Sequence, residues 1–175
     1  MSGSDSQHLV IARSIATVGL GTVTGLMLSI PLWILPSLDA APITPKDRLH
    51  LWSKVYDSGK ATMLSILPVC TVLFATAAYK VEPRALYLPA TFVTRNRKII
   101  LALCSSLSAS VIGYTVAFLM PGIQRLKKAE SDVVADVKPT FSTDQAIKQW
   151  GQLHLVRIAF AATGFVLGVA ELASA

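Results

Sequence analysis

The 175-residue sequence predicts an all-α integral membrane protein, a bundle of four transmembrane helices. Three observations carry that prediction. The chain is 53% hydrophobic and only 15% charged, with a mean hydropathy of +0.56, whereas soluble domains carry about 25% charged residues. Its charges are clustered: 10–35 contains one, Arg13; 61–79 and 99–124 contain none; 155–170 contains only Arg157. Each of these runs, with its flanks, approaches the ~20 residues that take an α-helix across a bilayer. Spans are predicted at about 9–35, 53–79, 98–120 and 150–174, in a single domain over 1–175, because too little chain remains for a separate soluble unit.

The first span exceeds the 7–15-residue core of a secretory signal and contains Pro31 and Pro36, so it is expected to stay as helix one. It carries Gly21 and Gly25, a GxxxG pair of the kind that lets another helix approach closely. The second span has a kink expected at Pro68. The third sets Ser105, Ala109 and Gly113 at four-residue spacing, a small-residue packing stripe, and the fourth has a second GxxxG in Gly164 and Gly168. Gly25 and Gly168 are expected at helix contacts. Between spans three and four, 125–138 reads as a solvated helical extension, and Ser142 or Thr143 is placed to cap the helix leading into span four. Cys70 and Cys104 both fall inside spans, as small core residues rather than a disulfide or a zinc site.

The net charge of +6 comes from Lys and Arg in the loops, where they meet anionic lipid headgroups. No basic face interleaved with aromatics suggests a nucleic-acid partner. Arg84, Arg95, Arg97 and Lys98 crowd the second loop, while the first and third together hold more cations. The positive-inside rule therefore leaves absolute orientation open. Relative orientation is fixed by the span count. The end of helix one, the start of two, the end of three and the start of four share one membrane face. There Trp33, His50, Trp52, Tyr56 and Lys60 meet Tyr114, Met120, Trp150, His154 and Arg157. The opposite end, 79–95 and 170–175, is expected to hold no comparable set.

Trp150, His154 and Arg157 are spaced i, i+4 and i+7, within an arc of ~60° on a helix. An unpaired charge inside an apolar span costs several kcal/mol. The stripe predicts a buried polar pocket in which Arg157 faces an anion and His154 exchanges protons, as an imidazole suits. The competing reading is a structural bond from Arg157 to loop carbonyls. Trp52, Tyr56, Gly59 and Met63 share one helical stripe and are expected to face the bundle. Trp33 and Trp52 also suit an interfacial belt, and Lys60 suits snorkelling to the headgroups. A metal site built on His50 and His154 is the weaker reading, because no carboxylate is spaced with them.

Three stretches, "LWSKVYDSGK" (51–60), "YTVAFLMPGIQRL" (114–126) and "WGQLHLVRIAFAATGFVLG" (150–168), resemble the DUF1772 family of small four-helix membrane proteins, most of all its fungal anthrone oxygenase branch. The likeness covers most of the chain. One departure is Pro121-Gly122-Ile123, where the family commonly reads Pro-Thr-Asn, and it bears on the choice of substrate. The resemblance implies oxygenation of a polyketide anthrone to a quinone in secondary metabolism, with molecular oxygen as co-substrate and no dedicated flavin, haem or metal. It implies a lipid bilayer as surroundings, an endomembrane by expectation, and a small apolar aromatic substrate. His154 is then the candidate base and Arg157 or Tyr114 the oxyanion partner. Trp52, Tyr56, Trp150 and Met120 form the walls, with His50 at the same face. No Gly-rich dinucleotide loop or haem-attachment motif is present. Two other classes fit the same residues: a membrane isomerase or cyclase, and a non-enzymatic tetraspan partner protein.

Overall fold

Four long helices hold most of the residues described in the computed structural model, which are 7–81, 91–135, 139 and 141–174. They are α1 (Gln7–Ala40), α2 (Pro45–Lys80), α3 (Arg97–Val134) and α4 (Thr143–Ala173), each long and apolar enough to cross a membrane. One short helical turn, Phe92–Arg95, precedes α3. Neighbours in sequence pack together and α4 closes back on α1, so the chain is an all-α four-helix bundle. The helix starts are set locally. Thr44 Oγ1 accepts from the Asp47 N–H at 3.2 Å with Pro45 in the first turn of α2, and Ser142 Oγ accepts from the Gln145 N–H at 3.4 Å to cap α4.

The outside of the bundle is apolar, and polar side chains are set among the apolar ones inside. Ile15, Val18, Leu64, Val72, Val116 and Val166 point outward, while Thr17, Thr24, Ser105 and Ser108 are buried. Three of these hydroxyls are met by carbonyls: Thr24 on Leu20 (2.8 Å), Ser108 on Cys104 (2.8 Å) and, across helices, Ser105 on Thr71 (2.9 Å), while Thr17 Oγ1 has no partner among the described residues. With no water in the hydrocarbon, such bonds and close backbone contact take over from apolar burial as the glue.

The 36 residues of α2 reach ~54 Å at 1.5 Å per residue, against ~30 Å of hydrocarbon. The excess falls at the Pro45 end, where Lys46, Asp47, Arg48, Lys54 and Asp57 are carried. There the helices are laced by Arg48–Asp144 (3.0 Å), Lys127–Asp57 (2.6 Å) and Lys148–Asp39 (3.6 Å). Two apolar cores result. One, around Leu20, Met27, Leu67, Phe74 and Leu101, fills the span; the other, around Leu49, Trp52, Leu119, Leu126 and Trp150, fills the overhang.

Close helix contact is made where some of the glycine spacing predicts it. A Cβ on Gly168 would come 2.9 Å from Thr17 Oγ1, and one on Gly21 would come 2.6 Å from the Phe165 ring. Gly25, expected at a contact, instead faces open space. Ala109 and Gly113 are exposed too, and α3 turns Leu101, Cys104, Ser108 and Val111 inward. Small-residue spacing states that two residues share a face, not which face it is. Cys70 and Cys104 are buried and free. The extension after 120 is helical to Val134 but buries Ile123, Leu126 and Ala129 against α2 and α4, so it is solvated on one side only. Lys138, in the predicted extension, and Arg84, in the second loop, lie outside the described residues. α2 runs on through Pro68 to Lys80.

Two π turns, Ile30–Ile34 in α1 and Thr115–Leu119 in α3, lie beside prolines and bracket the junction of the two cores. The candidate site is there.

Candidate functional site

The geometry begins with a missing hydrogen. Pro31 has no N–H to offer the carbonyl of Met27, four residues back, and His154 Nε2 lies 3.1 Å from that oxygen. On the other side of the ring, Arg157 Nη2 is 2.5 Å from His154 Nδ1. A guanidinium only donates, so Nδ1 accepts and Nε2 carries the hydrogen. Arg157 Nη1 donates in turn to Thr115 Oγ1 at 3.0 Å, and that hydroxyl donates to the Val111 carbonyl at 2.6 Å. A continuous relay thus joins α1, α4 and α3. His154 is 0% exposed and Arg157 4%. Arg157 Nε has no partner, and among the described residues no carboxylate pairs with this cation.

Arg157 forms part of the wall of a cavity of about 110 Å³ between α2 and α3. Tyr56, Gly59, Met63 and Leu67 line it from α2, Val111, Thr115 and Met120 from α3, Ile30 from α1 and Trp150 from α4. Lys60, Leu64 and Val116 also line it and are themselves exposed, so the cavity opens sideways onto the apolar outer surface. The lining residues with polar side-chain groups are Tyr56, Lys60, Thr115, Trp150 and Arg157, with no carboxylate. An apolar space of this kind favours negative charge on whatever group lies nearest Arg157.

Of the residues singled out from sequence, Tyr56, Met120, Trp150 and Arg157 line this cavity. Trp52 stands behind it, stacked on Tyr56 at 5.7 Å and edge-on to Trp150 at 5.5 Å; Trp150 in turn stacks on His154 at 5.3 Å. His154 is behind Arg157 with both nitrogens engaged, and accepting a proton requires one of those bonds to be given up. Tyr114 packs on Phe118 (4.9 Å) and Phe160 (6.0 Å), and it is the next residue, Thr115, that meets Arg157. His50 is outside the cavity, its side chain 56% exposed and its Nδ1 3.0 Å from Glu130. Trp33 is 68% exposed, as a belt residue would be. A second cavity, of about 270 Å³, lies across Trp150 and is lined by Pro121, Gly122, Arg125 and Gln149. The Gly122 departure from the family pattern bears on that space.

Sequence reasoning missed Thr115, and it missed a second polar cluster. At the opposite end Glu171 Oε1 accepts from Arg13 Nη1 at 2.5 Å and from Arg97 Nε at 2.9 Å, with Glu171 wholly buried. This overturns the expectation that the far end has no comparable set. The sign was present: Arg13 sits in an apolar run and Glu171 ends another, and ionisable residues in such runs are retained only with partners. Among the described residues no three His, Cys, Asp or Glu side chains gather as a metal site would need.

The class defined here is a small bundle of four helices, each able to cross a membrane, with a cationic apolar pocket near one end. The family model described as anthrone oxygenase matches residues 52–167 of the 175, and the chain belongs to that family, the DUF1772 family. No curated protein and no solved structure matches the chain. The matched stretch includes Tyr56, Lys60, Thr115, Trp150 and Arg157 of the cavity, whereas Met27 and Pro31 lie before it.

Proposed function

We propose that the protein is a membrane-embedded oxygenase, in an endomembrane, that converts an anthrone-like polyketide to the quinone during secondary metabolite synthesis. Molecular oxygen is the co-substrate and no dedicated cofactor takes part. The observation that carries this reading is Arg157, a buried cation without a counterion among the described residues, in the wall of an apolar cavity that opens onto the apolar outer surface. Family membership supports the reaction class.

The chemistry asks little of a protein beyond binding and charge stabilisation. An anthrone methylene lies between two rings and opposite a carbonyl, so loss of its proton puts negative charge on that carbonyl oxygen. Arg157 holds this oxygen, in the manner of an oxyanion site, where a single preorganised donor is worth about 3–4 kcal/mol. His154 and Thr115 aim the guanidinium and are positioning residues. The methylene proton leaves past Lys60, the exposed polar residue of the rim, to water at the headgroup level. The electron-rich carbon then reduces O2, forms a C–O bond and takes a proton as the hydroperoxide, which loses water to leave the second carbonyl. The methylene gives up four electrons and O2 accepts four, one oxygen entering the quinone and the other leaving as water.

The test is oxygen uptake by the full chain in lipid nanodiscs given an anthrone, with quinone absorbance followed in parallel. Uptake and quinone should appear one for one. Arg157→Lys, which keeps the charge but loses the planar fork, should lower turnover about 10²-fold, in line with loss of one oxyanion donor. Substrate consumption without oxygen uptake would replace the reading with an isomerase or cyclase. Turnover by Arg157→Lys at the parental rate would remove Arg157 from the chemistry.

A further inference from the structure

We propose that Lys60 is a second recognition point in the same cavity, and that the substrate carries a second acidic group, a carboxylate or an ionised phenol, on the edge away from its reacting carbon. This rests on the oxygenase reading and names its substrate class more narrowly. Two cations, Lys60 and Arg157, line one apolar cavity with no carboxylate among the lining residues. Arg157 is at least held by His154 and Thr115, whereas Lys60 forms no hydrogen bond or ion pair among the described residues and stands at the exposed rim. Its neighbours at i−4 and i+4, Tyr56 and Leu64, line the same cavity, so the stripe that carries Lys60 is the α2 wall itself.

Charge accounting favours a ligand with two acidic positions. A neutral ligand leaves Arg157 without a counter-charge and Lys60 without a partner at the rim, and a singly charged one satisfies only Arg157. A flat polycyclic phenol with its reacting oxygen at Arg157 and an acid toward the rim satisfies both. Such a molecule is also amphipathic: it lies at the lipid boundary with its acid toward water and its rings in hydrocarbon. A cavity that opens sideways between α2 and α3 with a lysine at the mouth accepts it in that orientation.

The experiment compares two anthrones that differ by one carboxyl group, using the full chain in nanodiscs and reading KM from oxygen uptake. The parent should favour the acid, and Lys60→Met should reduce that preference about tenfold or more, the effect of losing one charge-assisted contact. Lys60→Arg should keep most of it. An equal KM for the two substrates in the parent, or a preference unchanged by Lys60→Met, overturns the proposal and leaves Lys60 as a residue that reaches the headgroups. If the parent takes up no oxygen with either compound, the oxygenase reading is what has failed. Binding of the corresponding quinone acid, followed by quenching of tryptophan fluorescence and needing no turnover, then decides Lys60 separately. Weaker binding of the acid to Lys60→Met, set against the neutral quinone, supports the second contact, and unchanged relative binding overturns it.

Discussion

Replacing His154 by asparagine separates two jobs that a histidine in this place could have. In the relay, Nδ1 accepts from Arg157 Nη2 and Nε2 donates to the Met27 carbonyl. Asparagine puts an amide oxygen close to the position of Nδ1, so it can still accept from Arg157, but it cannot take up a proton at neutral pH. If His154 only aims Arg157, His154→Asn should stay within about tenfold of the parent. His154→Ala removes the acceptor outright. Arg157 then retains one of its two side-chain hydrogen bonds, that to Thr115, and loses a bond of the charged kind, worth about 1.5–3 kcal/mol. If that much of the guanidinium's orientation is needed in the transition state, the loss in kcat is ~10–150-fold. General-base removal instead predicts 10²–10⁴-fold for both variants alike. The assay is initial oxygen uptake at saturating anthrone, with near-UV circular dichroism to establish folding. Equal and large losses in folded His154→Ala and His154→Asn would refute the positioning role and put the imidazole in the proton transfer.

Packing and the far cluster give two further predictions. Gly168→Leu should sharply reduce folded yield in membranes, because a Cβ there meets Thr17 at 2.9 Å. Gly25→Leu, into open space, should leave it unchanged, and equal yields for the two variants by fluorescence-detected size exclusion would contradict the packing. Glu171→Ala should destabilise by about 3–5 kcal/mol, because it leaves Arg13 and Arg97 buried without their shared carboxylate. An unchanged Tm in detergent would show that the triad does not hold the helices together.

Four long apolar helices were legible because apolar length follows from bilayer thickness, and the stripe of Trp150, His154 and Arg157 was legible because α4 is regular from end to end. What the stripe meets was not. Choosing Tyr114 as an alternative oxyanion partner rests on its phenol and does not follow the buried stripe of α3 to its end. That stripe, Leu101, Cys104, Ser108 and Val111, continues at helical spacing to Thr115, one residue past Tyr114 and before the rest of the π turn. Arg13 and Glu171 sit in helices at opposite ends of the sequence, and nothing in local spacing pairs residues 158 positions apart. Gly25 was misplaced for a related reason: a small-residue motif declares a possible interface without naming its occupant.

The relay also dictates how the protein comes into being during synthesis. Its acceptors, the Met27 carbonyl and the Thr115 hydroxyl, lie in the first and third helices, and its donors arrive last, on the fourth. The ribosome therefore delivers a three-helix intermediate with two polar acceptors awaiting partners. It then delivers α4, the helix that must bring Arg157 into the membrane. For a lone helix that insertion is costly. Alongside helices already in place, the guanidinium and imidazole find their bonds as they arrive, and assembly of the last helix completes the pocket. Chains that stop short of α4 should yield no fractional activity, because Arg157, its orienting histidine and Trp150 all enter the bilayer together.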